Sequence, residues 1–342
     1  MTIASKKTKY THLHDMAPLL IQVELTEACN LRCRFCYNSQ EPRYNRHAIE
    51  ILERLAGQGV MQLTLTGGEP LLHPEFFNIL RRATELFPNV MILSNGTRMD
   101  SECVTQLHEY NILSVSISLH GDTATHDALT GVAGSHALSM RAICDFLERD
   151  TIPIASNYVL NAVNASHLPA AIHTLEKMGL RFMTITRFVP VGVGMGAADL
   201  ALTKRQLEDA FRTIHAHRQR GGSPHIEVAE ATPFCSLPCE LRYLANTCSY
   251  GYDRFYVDVD GNLIVCGLSR IPLGGNVLES SIKEIKSASK VFHSFMEDTH
   301  LPEECTTCGD LDLCHGGCRA AAMSCGNWQC TRDCFMETSS GT

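Results

Sequence analysis

LLIQVELTEACNLRCRFCYN (19–38) decides how this chain is to be read. Its opening, LLIQVELT (19–26), is strand-like, with apolar and polar residues alternating. Three cysteines follow directly as CxxxCxxC: Cys29, Cys33 and Cys36. A strand that hands its chain to a cysteine loop then turns out to be the first of a series. The strand-like runs MQLTLTGG (61–68), VMILSNGT (90–97), ILSVSISLHG (112–121), IPIASNYVLN (152–161) and RFMTITRFVPVG (181–192) alternate with helical stretches at 47–59, 76–87, 101–111, 139–150 and 168–179. That alternation predicts parallel strands joined by crossover helices. Six βα units are countable, against eight in a full TIM barrel, so the expected fold is α/β, a partial (β/α)6 TIM-like barrel.

After the Gly-rich VGVGMGAAD (191–199) and a helix at 203–220, the chain becomes cysteine-rich and irregular. One hairpin-like piece stands out there, RFYVDVDGNLIVCG (254–267), with Asp260-Gly261 as its turn signal. The expected organisation is an N-terminal extension (1–18), a barrel (19–222) and a small cysteine-rich domain (223–342).

Composition narrows the function. Sixteen cysteines and no export signal favour metal or cluster ligation over disulfides, because disulfide-rich secreted chains are short and poor in α/β patterning. Cys103 and Cys144 interrupt the long gap between the two cysteine regions and read as buried apolar thiols in helices. A net charge of -8 leaves no basic stripe for nucleic acid. No run approaches the ~20 apolar residues of a membrane span, and a cytoplasmic location is expected.

Three thiolates on one loop can hold three irons of a 4Fe–4S cube and leave the fourth iron open. An open iron can chelate the amino and carboxylate groups of S-adenosylmethionine (SAM) and pass an electron into its sulfonium, breaking the C5'–S bond to give a hydrogen-abstracting radical. Structural zinc would want four closed ligands, and no histidine lies close in sequence to complete a set.

With Phe35 just before its third cysteine, this motif resembles that of the radical SAM superfamily. TGGEPLLHP (66–74) resembles the family's GGEP motif at the end of the second strand. The resemblance implies that Gly67 and Gly68 let backbone approach SAM and that Glu69 positions its amino group. It further implies SAM contacts from Ser94 and Asn95 in SNGT (94–97), from Ser118 and from Phe35. The segment SLHGDTATHDALT departs from the pattern, with His120 in place of a common Asp and Thr130 where a SAM-contacting Arg is often found.

Downstream, Cys248 is followed by Gly261 and Cys266, and ECTTCGDLDLCHGGCRAA supplies Cys305, Cys308, Cys314 and Cys318. This spacing resembles the SPASM domain that many radical SAM enzymes carry. That resemblance implies two auxiliary 4Fe–4S clusters, three clusters in all. Cys248, Cys266 and Cys318 would hold one, with Cys235 or Cys239 as fourth ligand. Cys305, Cys308, Cys314 and a last cysteine would hold the other, Cys334 being preferred to Cys330 and Cys325 left spare. A pair of zinc ribbons would need a second CxxC knuckle, which is missing.

Many such relatives modify ribosomally made peptides, so the first expectation is a peptide maturase, with an electron donor such as flavodoxin or ferredoxin. About twenty residues precede the first strand, too few for a leader-binding domain, so a separate leader-peptide-binding protein would be needed, or none. The alternatives are oxidation or epimerisation of a small molecule such as an aminoglycoside-like sugar, and a non-enzymatic iron–sulfur or zinc scaffold. Sulfatase maturation is disfavoured because Gly267 stands where those enzymes place a catalytic Asp. Asp199, Tyr158, His120 and Glu230 are unranked candidates for a proton acceptor.

Overall fold

The computed structural model describes residues 18–296, 301, 303–324, 333 and 335. Cys325, Cys330 and Cys334 lie outside the described residues.

Seven parallel strands run in chain order through one sheet: β1 (Leu20–Glu24), β2 (Gln62–Thr66), β3 (Asn89–Ser94), β4 (Ser114–Ser118), β5 (Ile154–Leu160), β6 (Phe182–Arg187) and β7 (His225–Val228). The helices α1 (Ala48–Ala56), α2 (Phe76–Leu86), α3 (Ser101–Leu107), α4 (Thr123–Thr130), α5 (Ser135–Arg149), α6 (Leu168–Lys177) and α7 (Lys204–Gln219) fill the crossovers. On the other side of β1 the sheet continues through β8 (Arg254–Val257), β9 (Asn262–Ile264) and β10 (Pro272–Asn276), giving the order β10-β9-β8-β1-β2-β3-β4-β5-β6-β7. The ends, β10 and β7, are not neighbours. The sheet is therefore open, as the six-unit pattern predicts.

Local sequence explains the elements. Ile21, Val23, Leu63, Leu65, Val90, Ile92, Val115 and Ile117 are fully buried, and the helices cover them with Ile51, Leu52, Ile79, Leu80, Val104 and Phe146. Asp100 and Asp122 cap α3 and α4 by accepting the backbone N–H three residues on, and Thr203 with Gln206 makes a capping box on α7. The sequence reading passed over α4, whose Asp122 cap lay inside a segment matched for its motif. It also passed over β7, which is only four residues long.

The last third of the chain is built onto the barrel. β8 pairs in parallel with β1, Leu20 opposite Arg254 through Val23 opposite Val257, and the expected hairpin appears as β8 and β9 in antiparallel register. Beyond β10 come α8 (Ile282–Ala288), α9 (Lys290–Met296) and the short α10 (Glu303–Thr306), α11 (Leu311–Cys314) and α12 (Arg319–Ser324). The strand that delivers the first cysteine loop thus lies between the GGEP strand and the strand leading toward Cys266. No helix among the described residues is long and apolar enough to cross a membrane.

Candidate active site

The cysteine loop leaves β1 and is fastened on three sides. The backbone N–H groups of Arg32 and Arg34 donate to Thr130 O and Leu129 O at the end of α4, at 2.8 and 2.9 Å. Gly194 N–H donates to Cys36 O at 3.0 Å, and Arg34 makes a two-oxygen contact with Asp199 at 2.8 Å. Asp199 is thus placed as a partner of the loop. Its 59% side-chain exposure makes the pair a weak tether rather than a strong one.

The thiols themselves accept weak hydrogen bonds: Leu31 N–H to Cys29 Sγ and Asn38 N–H to Cys36 Sγ, both 3.4 Å, with Asn95 Nδ2 donating to Cys29 Sγ at 3.8 Å. Burial pushes the Cys29 thiol up to about 11 and raises Cys33 and Cys36, with repulsion from the neighbouring cysteines adding to Cys29 and Cys33. Three thiols that resist ionising on their own, two of them already supplied with N–H donors, suit a positively charged iron core that would hold them as thiolates. Among the described residues, no three His, Cys, Asp or Glu side chains converge on a single ion. Cys29, Cys33 and Cys36 on one loop fit three corners of a 4Fe–4S cube.

The GGEP turn is pressed against this loop. Gly68 N–H donates to Thr26 O at 2.6 Å and Glu69 N–H to Ala28 O at 2.8 Å. A Cβ on Gly67 would lie 2.3 Å from Thr26 O, and one on Gly68 would lie 2.2 Å from Ala28 O. Both glycines therefore answer first to the backbone of the cysteine loop. Glu69 is fully buried, and its carboxylate accepts from Ser94 Oγ (2.9 Å), Asn95 N–H (2.8 Å) and Leu71 N–H (3.3 Å). Burial, only partly offset by these donors, lifts it to about 7. Asn95 Nδ2 also donates to Asn30 Oδ1 at 3.0 Å, so β3 is joined to the cysteine loop by side chains as well. Ser118 ends β4 opposite Asn157, and Phe35 meets the His120 ring edge-on at 4.6 Å.

A charged network missed in the sequence lies beneath Cys36. Glu24, the fully buried last residue of β1, accepts from Asn38 Nδ2 (2.6 Å) and from Arg270 Nη1 (2.9 Å). Glu27 accepts from Arg270 Nη2 (3.0 Å), Ser39 Oγ (2.8 Å) and Arg43 Nη1 (3.3 Å). Arg270 comes four residues after Cys266, so this network pins the cysteine loop to the C-terminal region. The available signal was an acidic residue in the otherwise inward-facing end of a strand, which demands a cation.

In the C-terminal region, Cys248, Cys266 and Cys318 lie close enough to feel one another's charge, while Cys314 feels Cys235 and Cys308. Cys235 thus stands with Cys314, beside which Phe234 N–H donates to the Cys314 sulfur at 3.4 Å. Cys235 and Cys239 are exposed, Cys305 is half-buried, and no disulfide occurs among the described residues. Arg187 grips Asp333 through two bonds, 3.0 and 2.6 Å, and Asp333 also accepts Cys318 N–H at 2.9 Å. Away from both regions, Cys103 is half-buried, while Cys144 is exposed on α5 and so is not the buried thiol expected.

Comparison with known proteins gives two family matches. The radical SAM superfamily model matches residues 23–175 and an iron-sulfur cluster-binding (SPASM) domain model matches 248–309. The chain belongs to the radical SAM superfamily. It is similar to the sporulation killing factor maturation protein SkfB of Bacillus subtilis, 29% identical over 88% of this chain and 72% of that one. It is also similar to a PqqA peptide cyclase of Granulibacter bethesdensis, 25% identical over 90% of this chain and 84% of that one. Among solved structures, Streptococcus suis SuiB bound to SAM superposes with a TM-score of 0.78 at 18% identity, over 95% of this chain and 79% of that chain, a likeness of fold. As a radical SAM enzyme with a SPASM domain, the protein uses SAM and iron–sulfur clusters.

The site that the sequence outlined is largely one neighbourhood. Cys29, Glu69, Ser94 and Asn95 are joined directly or through one another, Gly67 and Gly68 abut the cysteine loop, and Phe35 extends that loop to His120. Tyr158 is spent inside the barrel, its hydroxyl donating to Asn164 O at 2.9 Å, and Glu230 accepts Arg187 N–H at 2.6 Å.

Proposed function

We propose that this radical SAM enzyme is a peptide maturase, in which Cys29, Cys33 and Cys36 hold the SAM-binding 4Fe–4S cluster and the C-terminal cysteines hold two auxiliary clusters. When bound, the first cluster supplies the electron that cleaves SAM to a hydrogen-abstracting 5'-deoxyadenosyl radical. Glu69, fully buried and already ringed by hydrogen-bond donors, is the group to receive the SAM amino group. Asn95, bonded to both Glu69 and the Cys29 sulfur, keeps that carboxylate in register with the cluster loop.

The observation that carries the chemistry is a buried carboxylate and three thiols held in one hydrogen-bonded neighbourhood at the C-terminal ends of parallel strands, where such barrels place their active sites. Support for a peptide substrate comes from the relatives: SkfB is named as a maturation protein, the second as a peptide cyclase, and SuiB has been solved with its precursor peptide SuiA. Sulfatase-type maturation finds no support at Gly267. A Cβ there would lie 2.9 Å from the Tyr256 ring, so an aspartate could enter only if that ring moved.

The test is anaerobic co-expression with each short reading frame flanking the gene, followed by mass spectrometry of the peptides. A modified peptide formed together with 5'-deoxyadenosine supports the reading. SAM cleavage with every flanking peptide unchanged would remove the peptide assignment and leave the radical SAM one intact.

A further inference from the structure

Glu24 ends β1 and Glu27 opens the cysteine loop, and both are buried, at 0% and 3% exposure. Each is bonded to Arg270, Glu24 to Nη1 at 2.9 Å and Glu27 to Nη2 at 3.0 Å. The second cation at Glu27, Arg43, is more exposed than Arg270, 43% against 28%, and is shared with Asp260. Two buried carboxylates therefore depend chiefly on one guanidinium.

This group reaches the first cysteine cluster through a single residue. Asn38 donates its side chain to Glu24 at 2.6 Å and its backbone N–H to Cys36 Sγ at 3.4 Å. Glu24 and Arg270 act on the charge of Cys36 with opposite sign, the first opposing it and the second favouring it. Arg270 itself belongs to the other cysteine region. Its N–H donates to Cys266 O at 3.1 Å, and the neighbouring Ser269 N–H donates to Cys266 Sγ at 3.3 Å. Its backbone is left-handed, with φ at 51°, a costly conformation for a residue other than glycine that is held by the Cys266 turn.

An iron–sulfur cluster becomes harder to reduce as the negative charge around it grows. We propose that Arg270 is a positioning residue that sets the reduction potential of the cluster on Cys29, Cys33 and Cys36: its charge, carried in from the Cys266 turn, offsets Glu24 and Glu27 and lets a donor's electron enter. One electron passes from the donor to the cluster, while Arg270 and the two carboxylates stay as they are. The region around Cys266 thereby controls the first step at the opposite cysteine loop. This inference rests on the proposed role of Cys29, Cys33 and Cys36.

Opposite charges predict opposite shifts. Full-length, iron-loaded proteins matched for iron content and melting temperature are titrated with redox mediators, following the electron paramagnetic resonance signal that SAM addition alters. Arg270→Gln should lower the potential and Glu24→Gln should raise it, each by roughly three- to thirtyfold in the ratio of reduced to oxidised cluster at a fixed potential. Arg270→Lys should stay near wild type, and the double variant Glu24→Gln/Arg270→Gln, which removes one charge of each sign, should return toward it. Formation of 5'-deoxyadenosine by Arg270→Gln should fall with dithionite and recover with the stronger reductant Ti(III) citrate. Unshifted potentials overturn the proposal, as do shifts of the same sign in both single variants, the mark of a purely structural tie, or a Lys variant displaced as far as Gln. If Arg270→Gln does not load iron, the double variant against Glu24→Gln decides by the same signs. A SAM-responsive signal that survives removal of Cys29, Cys33 and Cys36 would instead overturn the cluster assignment, and this inference with it.

Discussion

At the residue scale, Glu69 concentrates the chemistry. Its carboxyl is raised from the ordinary 4.5 to about 7 because burial outweighs the donors around it. The stability linked to that raised value is fully present below pH 4.5 and is lost as pH rises through about 7. For ligand binding the sign reverses: an amino group chelated to iron is an N–H donor and needs the ionised carboxylate as its acceptor, so SAM affinity should climb between pH 6 and 8 in the wild type and lose that climb in Glu69→Gln. The Gln variant should bind SAM about ten- to a hundredfold more weakly at pH 8, the cost of a charge-assisted bond, with iron content unchanged. Dialysis at several pH values reads this, and a flat wild-type profile would reject the role. Glu69, Ser94 and Asn95 were legible because they belong to short motifs that end strands. Glu24, Glu27 and Arg270 were not, since their partners come from 243 or more positions apart in the chain and no local pattern signals such pairing.

At the scale of elements, the glycines of the GGEP turn decide whether β2 and the cysteine loop can meet. Gly68→Ala would set a methyl against Ala28 O and Glu27 O, both backbone atoms that have no rotamer to give. The expected cost is roughly 1–3 kcal/mol, with a lowered melting temperature and reduced iron at the first cluster. Gly57, at the end of α1, is the control: its φ is -62° and its nearest contacts to an added Cβ are 3.5 and 3.6 Å. Gly57→Ala should leave stability unchanged or raise it by about 0.4–1 kcal/mol. Equal melting curves for the two variants would dismiss the packing argument. The alternation of strands and helices was readable because buried parallel strands need apolar runs and their helices an apolar stripe. HIEV of β7 fell below that signal: at four residues, with His225 and Glu227 exposed, it resembles a loop until β6 is placed beside it.

For the whole molecule, the C-terminal region is joined to the barrel by β8 beside β1, by Arg270 between Glu24 and Glu27, and by Arg187 on Asp333. The last is almost wholly buried, with side-chain exposures of 2% and 0%, so breaking one partner leaves an uncompensated charge in the interior. These ties imply that the auxiliary clusters can form on a framework that does not depend on the first one. The variant lacking Cys29, Cys33 and Cys36 should therefore stay folded, lose all 5'-deoxyadenosine formation, and keep about eight irons if two auxiliary 4Fe–4S clusters are present. Mössbauer spectroscopy with iron and sulfide analysis measures this directly. About four irons would reduce the auxiliary set to one cluster, and zinc in their place would replace the cluster reading of Cys248, Cys266 and Cys318 altogether. Adding Cys235→Ala to the triple variant then distinguishes the two sets. Because Cys235 stands with Cys314 and Cys308, its loss should disturb the cluster of Cys305, Cys308 and Cys314, whereas a fourth ligand to Cys248, Cys266 and Cys318 would disturb the other.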